Sequence, residues 1–327
     1  MKRNLQAGAR RNAGLRMEVF SETDRDDIHL ATLEVLERTG VNVEHDEAFD
    51  IFADGGCHVD RDRGLVRIPA HVVEDAIRSA PSKVVLCGRR PEYDVVLESG
   101  RVAFTNFSEG VQVVDQETGE LRPSTKQDVA DLARVNDYLS EFSTYEMAVS
   151  ARDVPEATMA VHNAEAALPN TRKCVGTGAL STLEAEAIID LGAAIVGSRE
   201  ALRARPIVYL GVCPVSPLKL PRDVTEVIIS ASRSGLPDNI LSMAMAGASS
   251  PVTLAGTLVT HNAEVLAGIT LAQLTERGSP CIYGSSTTAI DLRLAAASVG
   301  SPELGLISAA VAEMAHRYDL PSFVAGL

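Results

Sequence analysis

The 327-residue sequence contains no tryptophan, and aromatic residues make up only 4% of it. Its five cysteines, at 57, 87, 174, 213 and 281, are odd in number, widely spaced and form no C-x-x-C. That excludes a disulfide framework and a zinc knuckle, and it points to a reducing cytoplasm. Long apolar runs are missing too, because Ser, Thr and Gly interrupt every hydrophobic stretch before it reaches the length of a membrane span. Basic charge is scarce, with 30 Lys+Arg against 44 Asp+Glu and a net charge of −14. A nucleic-acid binder needs a basic footprint, so that class is excluded as well. What the chain does have is apolar material, 46% of its residues, enough for one large domain or two ordinary ones. The acidic balance suits neutral or cationic ligands, although most of it is simply solvated surface.

The first 16 residues carry Lys2, Arg3, Arg10, Arg11 and Arg16, with no acid and no apolar stretch of the kind a secretory signal needs. Residues 1–23 are therefore expected to be a disordered basic tail. From 24 to 124 the pattern is a small α+β segment. Ile28, Leu30, Leu33, Val35 and Leu36 recur at helical spacing before Gly40, residues 46–54 form a short helix stopped by Gly55-Gly56, and Pro69 opens another that runs to about Arg78. Strands are expected at 65–68, 84–86, 95–97, 102–105 and 111–114. The run DQETGELRP (115–123) reads as a hairpin-like turn. No catalytic cluster stands out here.

From Thr125 the pattern becomes a regular alternation of helices (125–138, 155–168, 181–197, 222–234, 254–276, 302–317) with apolar strands (142–147, 172–176, 206–212, 239–243, 280–284, 321–325). Alternating units of this kind build a parallel sheet covered by helices. No strand leads into G-x-G-x-x-G, so a dinucleotide fold has no motif behind it. Near-uniform units predict an α/β fold of the (β/α)8 TIM-barrel type over 125–327. Six such strands are present where a closed barrel needs eight, which makes it an incomplete barrel. The rival reading is that strands of the first segment complete the sheet.

Catalysis in such barrels sits where strands run into the loops that follow them. That rule selects Glu146 after the first strand, Gly176, Thr177 and Gly178 after the second, and Tyr209 on the third. Ser216 follows the third strand, Gly247 to Ser250 the fourth, and Tyr283, Ser285, Ser286 and Asp291 belong to the fifth and its loop. Each has a bland alternative. Glu146 could pair with Arg152, the small-residue loops could be tight turns and helix caps rather than an anion cradle, and Asp291 could be a helix-start charge. His261 and Glu264 form an H-x-x-E pair on one helical face, but without the second His of H-E-x-x-H a helix surface is the expectation. Cys174, Cys213 and Cys281 read as buried structural thiols, and no metal site is expected.

The run SMAMAGASSPVTLAGTLVTHNAEVLAGITLAQL (242–274), followed by YGSSTTAIDLR and GSPELGLISAAVAEMAHRYDLPSFVAG, resembles the trimethylamine methyltransferase (MttB-like) family. IHLATLEVLERTGV, DQETGELRPST and ARDVP match it as well, so the resemblance runs from about residue 25 to the end. It implies a (β/α)8 barrel that moves a methyl group from a tertiary or quaternary amine, trimethylamine or a betaine, to the Co(I) of a corrinoid. The cobalamin-type cofactor would be carried by a separate cognate corrinoid protein and not bound by this chain directly. Family chains continue for about two more barrel units, and those acting on trimethylamine carry a pyrrolysine, encoded by an in-frame amber codon, near the end of the last strand seen here. The catalytic group is accordingly expected just beyond Leu327, and the chain is expected to end where an amber codon is read as stop.

Neutral trimethylamine must gain positive charge before it can leave as an amine, whereas a quaternary ammonium need only be bound and oriented. Glu146, Tyr209, Tyr283 and Asp291 are the candidates for holding such a cation, and Ser216, Ser250, Ser285 and Ser286 for the surrounding rim. A homo-oligomer in the cytoplasm is expected. The alternative class is a non-catalytic barrel fragment with exposed edge strands. A Schiff-base lyase is weaker, since Lys173 is the one lysine in the six strands and stands near a strand start.

Overall fold

The computed structural model describes residues 18–325; most of the expected basic tail lies outside them. The first helix, Glu22–Glu34, starts inside the stretch assigned to that tail. Ser21 opens it with a capping box, its hydroxyl accepting from Asp24 N while the Asp24 carboxylate accepts from Ser21 N. The chain forms two compact units interleaved in sequence, one of residues 85–211 and one built from residues on both sides of it.

In the 85–211 unit, strands Tyr145–Glu146, Val175–Gly178 and Val208–Val212 run parallel, with Glu146 opposite Gly176 and Gly176 opposite Tyr209. Helices Lys126–Tyr138, Met159–Ala167 and Thr182–Val196 alternate with them, and a short helix Arg199–Ala204 follows. The sheet has two chemically different faces. Tyr145 points its hydroxyl toward Val129 O on the Lys126–Tyr138 helix, 3.4 Å away, so its neighbour Glu146 must face the other way. The hairpin forms as expected, Gln112–Val114 pairing with Leu121–Pro123 around the Asp115 turn. The 102–105 strand does not; the segment makes only single bridges, Phe104 to Phe142 and Gly110 to Val149. The unit is pinned by a buried ion pair in which Arg205 donates to both Asp94 oxygens (2.8 and 2.6 Å) and Gly88 N donates to one of them (3.1 Å).

The second unit holds the parallel strands Asp238–Ser242, Cys281–Ser285 and Ser322–Val324, with Ile240, Tyr283 and Ser322 in register. Its centre is the helix Leu254–Thr275, buried on nearly every side, which packs against Glu22–Glu34, Ala70–Ser79, Arg222–Ser234 and the sheet. Small and apolar residues recur along it among buried polar ones, and Gly268 permits a close approach: a Cβ at 268 would lie 2.9 Å from Ile240 Cγ2. Pro302–Arg317 and Asp46–Asp54 complete the helices. A small sheet joins Lys219–Leu220, Val41–Val43, Leu65–Arg67 and His58–Asp60. The strand at 41–43 and the short rim strands Met245–Ala246, Thr288–Asp291 and Ala296–Ala297 have no counterpart in the sequence reading.

Candidate functional site

Glu146 is the second residue of a two-residue strand, and its position is set by its backbone. Asn106 accepts from Glu146 N (3.1 Å) and donates to Glu146 O (2.8 Å), and Asn136 in turn donates to Asn106 Oδ1 (2.9 Å). The carboxylate projects over Gly176 on the next strand. A Cβ there would lie 2.6 Å from both carboxylate oxygens and 2.5 Å from Tyr209 Cζ, so the absent side chain is the space in which the Glu146 carboxylate and the Tyr209 ring meet. Tyr209 is buried. Among the described residues Glu146 Oε1 has no hydrogen-bond partner, and no ion pair to Arg152 forms.

Burial, and then the nearby charge of Glu109, push the Glu146 carboxyl up to about 8. Glu109 itself stands at φ +67, in the left-handed region, with its N–H donated to Met147 O (2.8 Å) and Ser150 Oγ donating to its Oε2 (3.3 Å). Its carboxyl is also raised, by loss of water. The sequence offered no sign of a site in the 24–124 segment, yet Asn106 and Glu109 both come from it. Gly176 thus lets the Glu146 carboxylate and the Tyr209 ring pack together in a buried, water-poor setting with the charge of Glu109 nearby, groups of the kind that attract an organic cation.

The other two candidate binding residues lie elsewhere. Tyr283 faces the helices, its hydroxyl donating to Asn262 Oδ1 at 2.6 Å. Asn262 donates to Tyr318 Oη (2.8 Å), which meets His29 Nδ1 (3.0 Å), whose Nε2 meets Glu74 (2.7 Å). Tyr283 is therefore one end of a buried polar chain. Asp291 closes a turn, Oδ1 accepting from Arg293 N (2.8 Å) and Leu294 N (3.2 Å). The rim serines are similarly engaged: Ser250 N donates to Met245 O, Ser286 N to Ser242 O, and Ser285 Oγ accepts from Thr287 N. Their amides are not aimed outward as an anion cradle. Ser216 donates to Glu264 (2.8 Å).

His261 and Glu264, expected on a helix surface, are instead 0% and 1% exposed. Of the three strand cysteines, Cys174 and Cys281 are buried and Cys213 is exposed. Lys173 is buried and donates to Asn136 O and to Leu139 O (2.8 Å), a structural role that leaves nothing for Schiff-base chemistry. Among the described residues no group of His, Cys, Asp and Glu is arranged to hold a metal, and no helix is long and apolar enough to cross a membrane.

A family profile described as trimethylamine methyltransferase (MTTB) matches residues 2–327. The chain belongs to this family. It is 47% identical over 322 residues to a trimethylamine methyltransferase MttB of Desulfitobacterium hafniense (strain DSM 10664 / DCB-2), covering 98% of this chain and 65% of that one. To the MttB of Methanosarcina thermophila it is 45% identical over 330 residues, covering 99% and 68%. A glycine betaine methyltransferase of D. hafniense (strain Y51) is 30% identical over 309 residues, covering 93% and 63%. The chain thus spans about two thirds of the length of these relatives. Among solved structures, the hydroxylamine complex of MtmB superposes with a TM-score of 0.54 at 14% identity, over 96% of this chain and 69% of that one, and the likeness is one of fold.

Proposed function

We propose that this family member takes part in moving a methyl group from a tertiary or quaternary amine to the Co(I) of a corrinoid carried by a separate, cognate protein, and that its parallel strands and helices are parts of a (β/α)8-type barrel. Family membership supports the reaction class. The observation that carries the substrate side is the close approach of the buried Glu146 carboxylate and the Tyr209 ring over Gly176. The methyl acceptor would be a substrate brought by its own protein, supplying the nucleophile. This chain's residues would bind and orient the amine. The Tyr209 ring face and the Glu146 carboxylate would together favour a cationic nitrogen, and burial would strengthen both interactions relative to water.

The raised carboxyl makes the proposal sensitive to pH. Below about 8 burial and the nearby Glu109 hold Glu146 neutral, and a bound cation must expel that proton. Affinity for a quaternary ammonium such as glycine betaine or tetramethylammonium should therefore rise as pH climbs toward 8 and level off above it, by up to about tenfold per pH unit. Calorimetric titration at pH 6, 7, 8 and 9 reads the slope and the released proton, and a flat profile removes Glu146 from the site. The reaction is tested by following methylation of a Co(I) corrinoid protein spectroscopically, with trimethylamine and glycine betaine as competing donors. No methyl transfer from either donor would overturn the reading.

A further inference from the structure

We propose that His261 and Glu264 are positioning residues that clamp two strand-end loops to one strand terminus and so hold the entry for the methyl acceptor; the kinetic part of this rests on the function proposed above. Ser242 ends the strand Asp238–Ser242 and lies in register with Ser285, the end of the neighbouring strand. The Glu264 carboxylate, on the long helix, accepts from Ser242 Oγ (2.6 Å) and Ser216 Oγ (2.8 Å) through Oε2, and from Leu218 N (2.9 Å) through Oε1. Ser216 and Leu218 belong to the strand-end segment 213–220, which closes with the short strand Lys219–Leu220. One helical turn earlier, His261 Nδ1 meets Thr287 Oγ1 at 3.0 Å. Thr287 Oγ1 donates to Ser242 O (3.2 Å), and Ser286 N donates to the same carbonyl (2.9 Å).

The proton inventory fixes the roles. Thr287 has one hydroxyl hydrogen and gives it to Ser242 O, so His261 Nδ1 must carry the hydrogen of the His–Thr bond. The ring is then neutral with Nε2 as a bare lone pair, and Nε2 indeed has no partner among the described residues. Burial agrees, holding the imidazole near 3. Glu264 receives three donors, which favour its ionised form, while burial opposes that charge and raises its carboxyl. A buried carboxylate is a poor way to fasten a helix to a sheet, since an apolar pair of similar volume does that as well. What it supplies is location: two loops referred to one strand end. Leu218 needs the restraint, because it stands at φ +58 in a region a leucine avoids, and its N–H is the one Glu264 holds.

Both loops leave the C-terminal ends of parallel strands, the side from which substrates reach the chemistry in folds of this kind. A loosened loop leaves only a fraction of molecules competent to bind, which raises KM by the inverse of that fraction and leaves the chemical step alone. The test uses Glu264→Gln and the milder Ser216→Ala on one arm and Thr287→Val on the other. Hydrogen exchange should quicken about tenfold in 213–220 for the first two and in 285–288 for the third, each leaving the other loop unchanged. With a Co(I) corrinoid protein as acceptor, its KM should rise about tenfold while kcat and the amine KM stay within about twofold. Unchanged exchange in both loops, or a fall in kcat at constant KM, overturns the clamp. If the unsubstituted protein transfers no methyl group, the functional reading fails, and the exchange pattern alone still decides whether the pair clamps these loops.

Discussion

One missing methyl group decides what Glu146 can do. With alanine at 176 the new Cβ would sit 2.5–2.6 Å from the Tyr209 ring and both Glu146 oxygens, and these are short, hemmed-in groups rather than flexible chain ends. Gly176→Ala should cost about 1–3 kcal/mol of stability and most of the affinity for a quaternary ammonium. Paired urea melts and calorimetry measure the two losses. Asp238 allows a cleaner reading of a buried acid, because burial alone shifts it. It is wholly buried, neither oxygen has a partner among the described residues, and its carboxyl is pushed up to about 8. The folded chain therefore keeps a proton that the unfolded chain gives up near pH 4, and Asp238 lowers stability progressively as pH rises from about 4 to 8. Asp238→Asn should gain about 1–3 kcal/mol over the parent at pH 9 and little at pH 4. An equal effect at both pH values would show that the proton is not involved.

Among the elements, those with strong local signals were legible in the sequence. Helices Asp46–Asp54 and Arg222–Ser234 coincide with their expected limits, and Pro302–Arg317 does too, because caps and apolar spacing are local properties. The strands were placed less well. Tyr145–Glu146 keeps two of six expected residues, and the 102–105 strand is reduced to a bridge, since pairing depends on partners remote in sequence. The same reasoning explains the site. Strand-end position singled out Glu146 and Tyr209, which the fold brings together over Gly176, but Glu109 and Asn106 arrive from a loop with no pattern of its own. Which face a strand residue uses is likewise set by its neighbours, and that separates Tyr283 from Tyr209. His261 and Glu264 were expected on a helix surface because the burial of their helix comes from several other elements. At this scale the Asp94–Arg205 pair ties a loop to a helix end, and Arg205→Ala, which strands a buried carboxylate, should cost about 3–5 kcal/mol in denaturant melts.

For the whole molecule, interleaving matters more than size. The second unit needs residues from both sides of 85–211, and the apolar sides of Leu254–Thr275 are covered by Glu22–Glu34 and Ala70–Ser79. A chain starting at residue 85 should lose its cooperative melt and aggregate, which differential scanning calorimetry and light scattering would register. Of the five thiols, four are buried and Cys213 alone is exposed, on the loop that Glu264 holds. A single maleimide fluorophore or nitroxide should therefore attach there selectively without any cysteine having to be removed first, giving the unaltered chain a spectroscopic reporter whose tumbling follows that loop as an acceptor approaches.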